Sequence, residues 1–272
     1  MTLLSLALTL IAVIVFTLSH RYAWWRRTVD YGRPRILMYH MVREAQPGAK
    51  FNKLRVSPAN FERQIRWLAE QGWYFASMSD LSKASRLPAK TVVLTFDDGY
   101  EDNLLNADPV LARYGAKATL YVVEDRFDRD WSSSKKAHHD SGELMREPKL
   151  TDLQLEQMLA SGRWELGGHT RTHANLAKLD QTQRETEIAG ARQSMAARFS
   201  VPMESFAYPF GIYGPEDVAA AVAAGFTSAV TTREGIPEDV ASQTMELPRI
   251  KISGNDTMLA FRLRLRTGHR GV

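Results

Sequence analysis

Cysteine is absent from the 272-residue chain, and that one absence removes thiolate nucleophiles, thiolate metal sites and disulfides together. Any metal must then be held by histidine or carboxylate side chains. Acidic residues are missing from Arg262 to Val272, which carries four arginines, and number only Asp30 between His20 and Arg35, which carries five. These two basic flanks outweigh the net charge of +4, so the chain between them is acidic. A nucleic-acid partner needs a basic face on the folded domain and is not expected. Internal repeats and low-complexity linkers are also lacking, and 44% hydrophobic content suits one domain of about 200–250 residues.

Charge is missing again from Leu3 to Ser19. Seventeen uncharged residues meet the lower limit of ~17–25 for a spanning helix, and Tyr22, Trp24 and Trp25 follow where interfacial aromatics sit. A cleaved signal peptide has a basic leader and small residues at its cleavage site, whereas no Lys or Arg precedes this run and bulky residues follow it. The expected organisation is a transmembrane anchor over residues 1–22, a basic juxtamembrane linker over 23–34, a catalytic domain over 35–255 and a basic tail over 256–272. The helix implies a single-pass inner-membrane protein, and arginines on its carboxyl side, taken alone, favour a domain in the cytoplasm, with the periplasmic face the open alternative.

Past the anchor, β-branched and aromatic runs predict strands at Arg35 to Tyr39, Trp73 to Ala76, Thr91 to Phe96, Ala118 to Val123, Trp164 to Gly168, Phe206 to Pro209, Thr227 to Thr232 and Leu247 to Ser253. Helix starts stand between them: Ser57 before Pro58, Thr151 with Gln154 as a capping box, and Thr182 ahead of Ile188, Met195 and Phe199. This alternation predicts an α/β fold with a parallel sheet. Glu124 to Leu150 is the exception, a long polar stretch without a period, and loops of that length are usually lids or binding loops.

Three motifs carry chemistry. Thr91 to Phe96 reads as a buried strand ending in Asp97-Asp98-Gly99-Tyr100, where adjacent carboxylates point to different sides and one can hold a metal while the other serves as a base. Trp164 to Gly168 leads into His169-Thr170-Arg171-Thr172-His173, whose histidines share a face if the segment is helical. The glutamate of the zinc-protease helix is missing between them, so a base must come from elsewhere. With Asp98 the pair completes Asp plus two His, the three-ligand set of a catalytic zinc site. Phe206-Ala207-Tyr208-Pro209-Phe210-Gly211 reads as a third strand running into a loop. In a parallel barrel all three motifs fall at the carboxyl ends of strands, where such barrels place active sites.

In these motifs the chain resembles the polysaccharide deacetylase family, the carbohydrate esterases that share the NodB homology domain. The resemblance covers Arg35 to Ser253. It implies an irregular (β/α) barrel of about seven strands and removal of the N-acetyl or other N-acyl group from an amino sugar, with a divalent metal, most simply Zn2+. It makes Asp97 the catalytic base, Asp98, His169 and His173 the metal ligands, and Phe210 the donor of a backbone N–H to the oxyanion. The opening Ile36-Leu37-Met38-Tyr39-His40-Met41-Val42 is similar to members acting on poly-N-acetylglucosamine-type glycans.

Two family residues are lacking. Ala207 stands where many members have an arginine that steadies the base, and Leu247-Pro248-Arg249-Ile250-Lys251-Ile252 has no general-acid histidine. Arg249 and His40 are the candidates to fill these places, with His138 and His139 behind His40. The expected partners are a membrane and an N-acetylated glycan or the same sugar on a polyprenyl-phosphate carrier. A glycan-binding module without turnover and a metallohydrolase of other amides, such as a peptidase, remain the alternatives.

Overall fold

Residues 92–97 alternate between two surroundings, and that alternation builds the molecule. In a computed structural model that describes residues 3–22, 24–84, 87–135 and 138–271, Val92, Leu94 and Phe96 face an outer layer of helices while Val93 packs inward with Ile36, Tyr121, Ala207, Val230 and Leu247. The strands are β1 (Arg35–Tyr39), β2 (Met41–Val42), β3 (Arg55–Val56), β4 (Tyr74–Ala76), β5 (Thr91–Asp98), β6 (Ala118–Val122), β7 (Trp164–Gly168), β8 (Ser205–Ala207), β9 (Ser228–Glu234) and β10 (Leu247–Lys251). β1 pairs in parallel with β10 on one side and β5 on the other. That closes β1, β5, β6, β7, β8, β9 and β10 into a seven-stranded parallel barrel. β4 joins the opening residues of β5, Tyr74 opposite Thr91, and β2 and β3 form a small pair beside the mouth.

Closure sorts the inside from the outside. Met78 and Leu81 of the short helix Met78–Lys83 join the inner cluster and plug the amino-terminal end of the barrel. Gly167 is forced by the same interior, because a Cβ there would lie 2.5 Å from the Tyr121 ring. The capping signals at Ser57 and Thr151 hold, with Ser57 accepting from the Asn60 N–H and Thr151 exchanging bonds with Gln154. The third helix starts earlier than Thr182. Asp180 caps it through the Gln183 N–H at 2.8 Å, since a carboxylate at that position makes the stronger cap.

The segment read as a basic tail is instead the helix Met258–Thr267. Phe261 and Leu265 are buried, Phe261 meets Trp67 edge to face at 6.1 Å, and Asn60 Nδ2 donates to the Asp256 carbonyl at 3.1 Å. Its arginines hid an amphipathic face, and one of them, Arg264, is itself buried, its guanidinium paired with the Asp256 carboxylate and donating to the Lys251 carbonyl at 2.8 Å. The linker is also packed: Arg35 donates to the carbonyls of Val29, Asp30 and Leu265 at 2.7, 2.7 and 2.9 Å. Ahead of it, the helix Leu3–Tyr22 has a mean hydropathy of 2.2 and no buried residue, long and apolar enough to cross a membrane.

Candidate active site

Each motif leaves the mouth end of the barrel in a backbone conformation that side chains ordinarily avoid. Asp98, Thr170, His173 and Phe210 have φ of 77°, 63°, 57° and 59°, the left-handed region that costs about 1–2 kcal/mol for a residue with a Cβ. Such strain clusters at functional sites because the surrounding fold over-determines it. The helical-face reading of His169 to His173 does not hold. The segment is an irregular loop, and its left-handed turns, rather than a 3.6-residue period, bring the two imidazoles onto one point.

That point is the Asp98 carboxylate. His169 Nε2 lies 3.4 Å and His173 Nε2 3.2 Å from the same Oδ1, and all three side chains are buried. His169 is oriented from behind, since its Nδ1 lies 2.7 Å from the Ala207 carbonyl. A carbonyl only accepts, so Nδ1 carries the proton and Nε2 presents its lone pair. Ligand atoms of Asp98, His169 and His173 all lie within 4.8 Å of one another. Three electron-pair donors buried this closely repel unless a cation or proton lies between them, and two imidazoles with one carboxylate are the donors of a three-ligand zinc-type site. The residues therefore fit a divalent metal.

Asp97 has a different partner. Burial alone pushes its carboxyl up, but the Arg249 guanidinium prevails and holds it below the usual carboxylate range. The contact is bidentate, 2.7 Å to Oδ1 and 2.8 Å to Oδ2. Arg249 is completely buried inside the barrel and spends its other donors on the Thr231 carbonyl at 2.9 Å and Thr95 Oγ1 at 3.0 Å. Asp98 also resists the upward push of burial, because the two imidazoles hold it well below the ordinary value.

Above these groups opens a cavity of about 350 Å³. His40, one residue past β1, lines it together with Asp97, Asp98, His169, His173 and Phe210. The Phe210 ring stands edge-on to His173 at 4.4 Å, and Gly211 follows at φ 68°, where a Cβ would meet Thr232 Oγ1 at 1.9 Å.

The long polar stretch expected as a lid or binding loop roofs the cavity, although His139 alone of its lining residues was singled out from the sequence. Trp131, Ser132, Lys135, His139 and Leu144, all from the long polar stretch, line the same cavity. Trp131 packs on His173 with ring centres 5.0 Å apart. The buried Arg55 pins the stretch through Glu143 and Glu147 at 2.8 and 2.6 Å. Lys149 Nζ donates to the Leu144 and Glu147 carbonyls at 2.7 and 2.8 Å, between the Tyr100 and Trp131 rings at 4.7 and 4.8 Å. Burial pulls this amine down to about 8. A lone tryptophan in a polar run was the available signal.

A sequence profile of polysaccharide deacetylases matches residues 84–229, which spans β5 to β8, the first residues of β9 and every expected ligand. The chain belongs to the polysaccharide deacetylase family. That places it among the carbohydrate deacetylases, hydrolases of carbon–nitrogen bonds other than peptide bonds. The YxkH protein of Bacillus subtilis (strain 168), which carries a polysaccharide-deacetylase name, is 30% identical over 215 residues, 78% of this chain and 68% of its own. A poly-beta-1,6-N-acetyl-D-glucosamine N-deacetylase of Staphylococcus aureus (strain MRSA252) is 26% identical over 243 residues, 80% of this chain and 78% of its own. Among solved structures, the Streptococcus pyogenes deacetylase PplD in complex with acetate superposes with a TM-score of 0.69 at 28% identity, covering 84% of this chain and 94% of that one.

Proposed function

We propose that the protein removes N-acetyl groups from glucosamine units of a glycan by metal-assisted amide hydrolysis, as a membrane-anchored enzyme. The observation that carries this reading is the convergence of Asp98, His169 and His173 beside an ionised Asp97 clamped by Arg249. Asp98, His169 and His173 would hold the cation, which supplies Lewis acidity to polarise the acyl carbonyl and acidify water. Asp97 takes the proton of the attacking water, and Arg249 fixes the direction of its lone pairs. The Phe210 backbone N–H faces the oxyanion that develops on the acyl oxygen. His40 gives a proton to the departing amine, so that acetate and a free amino sugar leave.

The substrate and the positive-inside rule pull in opposite directions, since a finished glycan lies outside while the arginines after the helix favour the cytoplasm. A reporter fused after Val272 that is active only outside sets the charge rule aside. The test of the function is acetate release from N-acetylglucosamine oligomers by protein stripped with a chelator and then reloaded. Activity lost on stripping and restored by Zn2+ is expected. Full activity in metal-free protein would sink the metal, and binding without release would leave a glycan-binding module.

A further inference from the structure

All seven barrel strands run in one direction, so the two ends of the barrel differ in kind. His40, Asp97, Asp98, His169 and Phe210 follow or end strands at the carboxyl end, whereas the chain arriving from the apolar helix enters β1 at Arg35, at the amino end. The linker is fixed there. The Lys90 N–H, one residue before β5, donates to the Tyr31 carbonyl at 2.7 Å, and the Val29 N–H donates to the Arg266 carbonyl at 2.9 Å. The Tyr31 ring stands edge-on to Trp73, one residue before β4, at 5.6 Å. Trp24 and Trp25 remain half exposed, and Arg266 donates to the Trp24 carbonyl. Both basic flanks therefore meet at this end, Arg21, Arg26 and Arg27 from one and Arg266 from the other. Asp30, the sole acid of the first flank, accepts from the Gly32 N–H.

We infer that this closed end of the barrel is a docking face for anionic lipid headgroups. The active-site mouth then opens away from the bilayer, onto a glycan segment held off the surface rather than an amino sugar on a lipid carrier. Exposed tryptophan beside arginine is the composition of a membrane interface, and each arginine near an anionic surface adds about 1 kcal/mol. Apart from the three-residue β8, the barrel strands have five to eight residues, which at ~3.3 Å per residue set the mouth roughly 15–25 Å farther out, beyond the reach of a sugar tied to a headgroup phosphate. The inference rests on the membrane-anchored reading above and adds the direction in which the enzyme faces.

The absence of cysteine lets single thiols report that direction. Full-length protein is placed in lipid nanodiscs with Ala89→Cys, at the closed end, or Ala45→Cys, beside the mouth, carrying a fluorophore, and headgroup-attached spin labels quench it. In discs containing phosphatidylglycerol, quenching at position 89 should exceed that at 45 severalfold. Purely zwitterionic discs, or Arg26→Gln with Arg27→Gln and Arg266→Gln, should narrow the gap at least twofold. Protein that remains in the disc yet is quenched equally at both sites, or more at 45, overturns the orientation. A gap that ignores both lipid charge and the three substitutions overturns headgroup docking. Protein that elutes free of the disc instead overturns the anchored reading, and this inference with it.

Discussion

The floor and the roof of the cavity are held by different forces. The floor is the barrel itself, where Asp97, Asp98 and His169 sit on or next to strands locked by parallel ladders and Arg249 spans the interior from β10. The roof, the described residues of 124–150, is tied by backbone bonds near its two ends, such as those from the Asp125 N–H to the Arg171 carbonyl and from the Leu150 N–H to the Gly99 carbonyl. Between them it is held largely by side chains: ion pairs from Arg55 to Glu143 and Glu147, the apolar contacts of Trp131 and Leu144, and one buried lysine between two rings. A ladder fixes a side chain through many shared bonds, whereas a few charged contacts fix it through groups that titrate and can be lost singly. The candidate reaction geometry thus rests on the strand ladders, and the enclosure of the cavity on side-chain contacts.

The comparison predicts that floor substitutions act on chemistry and roof substitutions on stability or substrate hold. The largest effect belongs to the proposed ligands: His173→Ala or Asp98→Asn should leave the purified protein without stoichiometric metal and with background acetate release, because a three-donor site does not survive the loss of one donor. Arg249→Met comes next. It strands the Asp97 carboxylate inside the barrel and should cost about 3–5 kcal/mol of stability together with roughly a hundredfold in kcat, read by denaturant unfolding and acetate release. His40→Ala should lower kcat at least about a hundredfold with metal content unchanged, the magnitude of general acid catalysis. His139→Ala is its control from the roof, and a larger loss there than at His40 would move the acid to the roof.

The smallest effect lies in the roof and depends on pH. Lys149 sits at about 8 in the fold against an ordinary value near 10.4. The unfolded chain therefore binds more protons between these values, and stability gains as pH rises through that window. Relative to Lys149→Met, wild-type stability should improve by on the order of 2 kcal/mol between pH 7 and pH 9.5. A pH-independent difference would mean that the amine is not confined as the contacts imply.

Much of the floor was legible because a buried parallel strand writes itself as a continuous apolar run that ends where the polar residues begin. Thr91 to Phe96 shows this, Trp164 to Gly168 less cleanly because Glu165 interrupts it, and Arg249 was marked only as the candidate for the place of the family's missing arginine. The path from His169 to His173 was not legible, since left-handed φ at Thr170 and His173 follows from the closed barrel and the loop packed on it, not from local propensity. The helix Met258–Thr267 was missed for the opposite reason: its four-residue spacing of Phe261 and Leu265 was present but lay among arginines. The roof has no period because its contacts join residues far apart in the chain, Arg55 and Glu147 by 92 positions.

The most direct test of the account separates the two carboxylates at the end of β5. Metal content and acetate release from N-acetylglucosamine oligomers are measured on the same preparations of wild type, Asp97→Asn and His173→Ala. The account predicts that Asp97→Asn retains the metal at wild-type stoichiometry while losing nearly all turnover, and that His173→Ala loses both. Equal loss of metal in the two variants, or substantial turnover in Asp97→Asn, would contradict it.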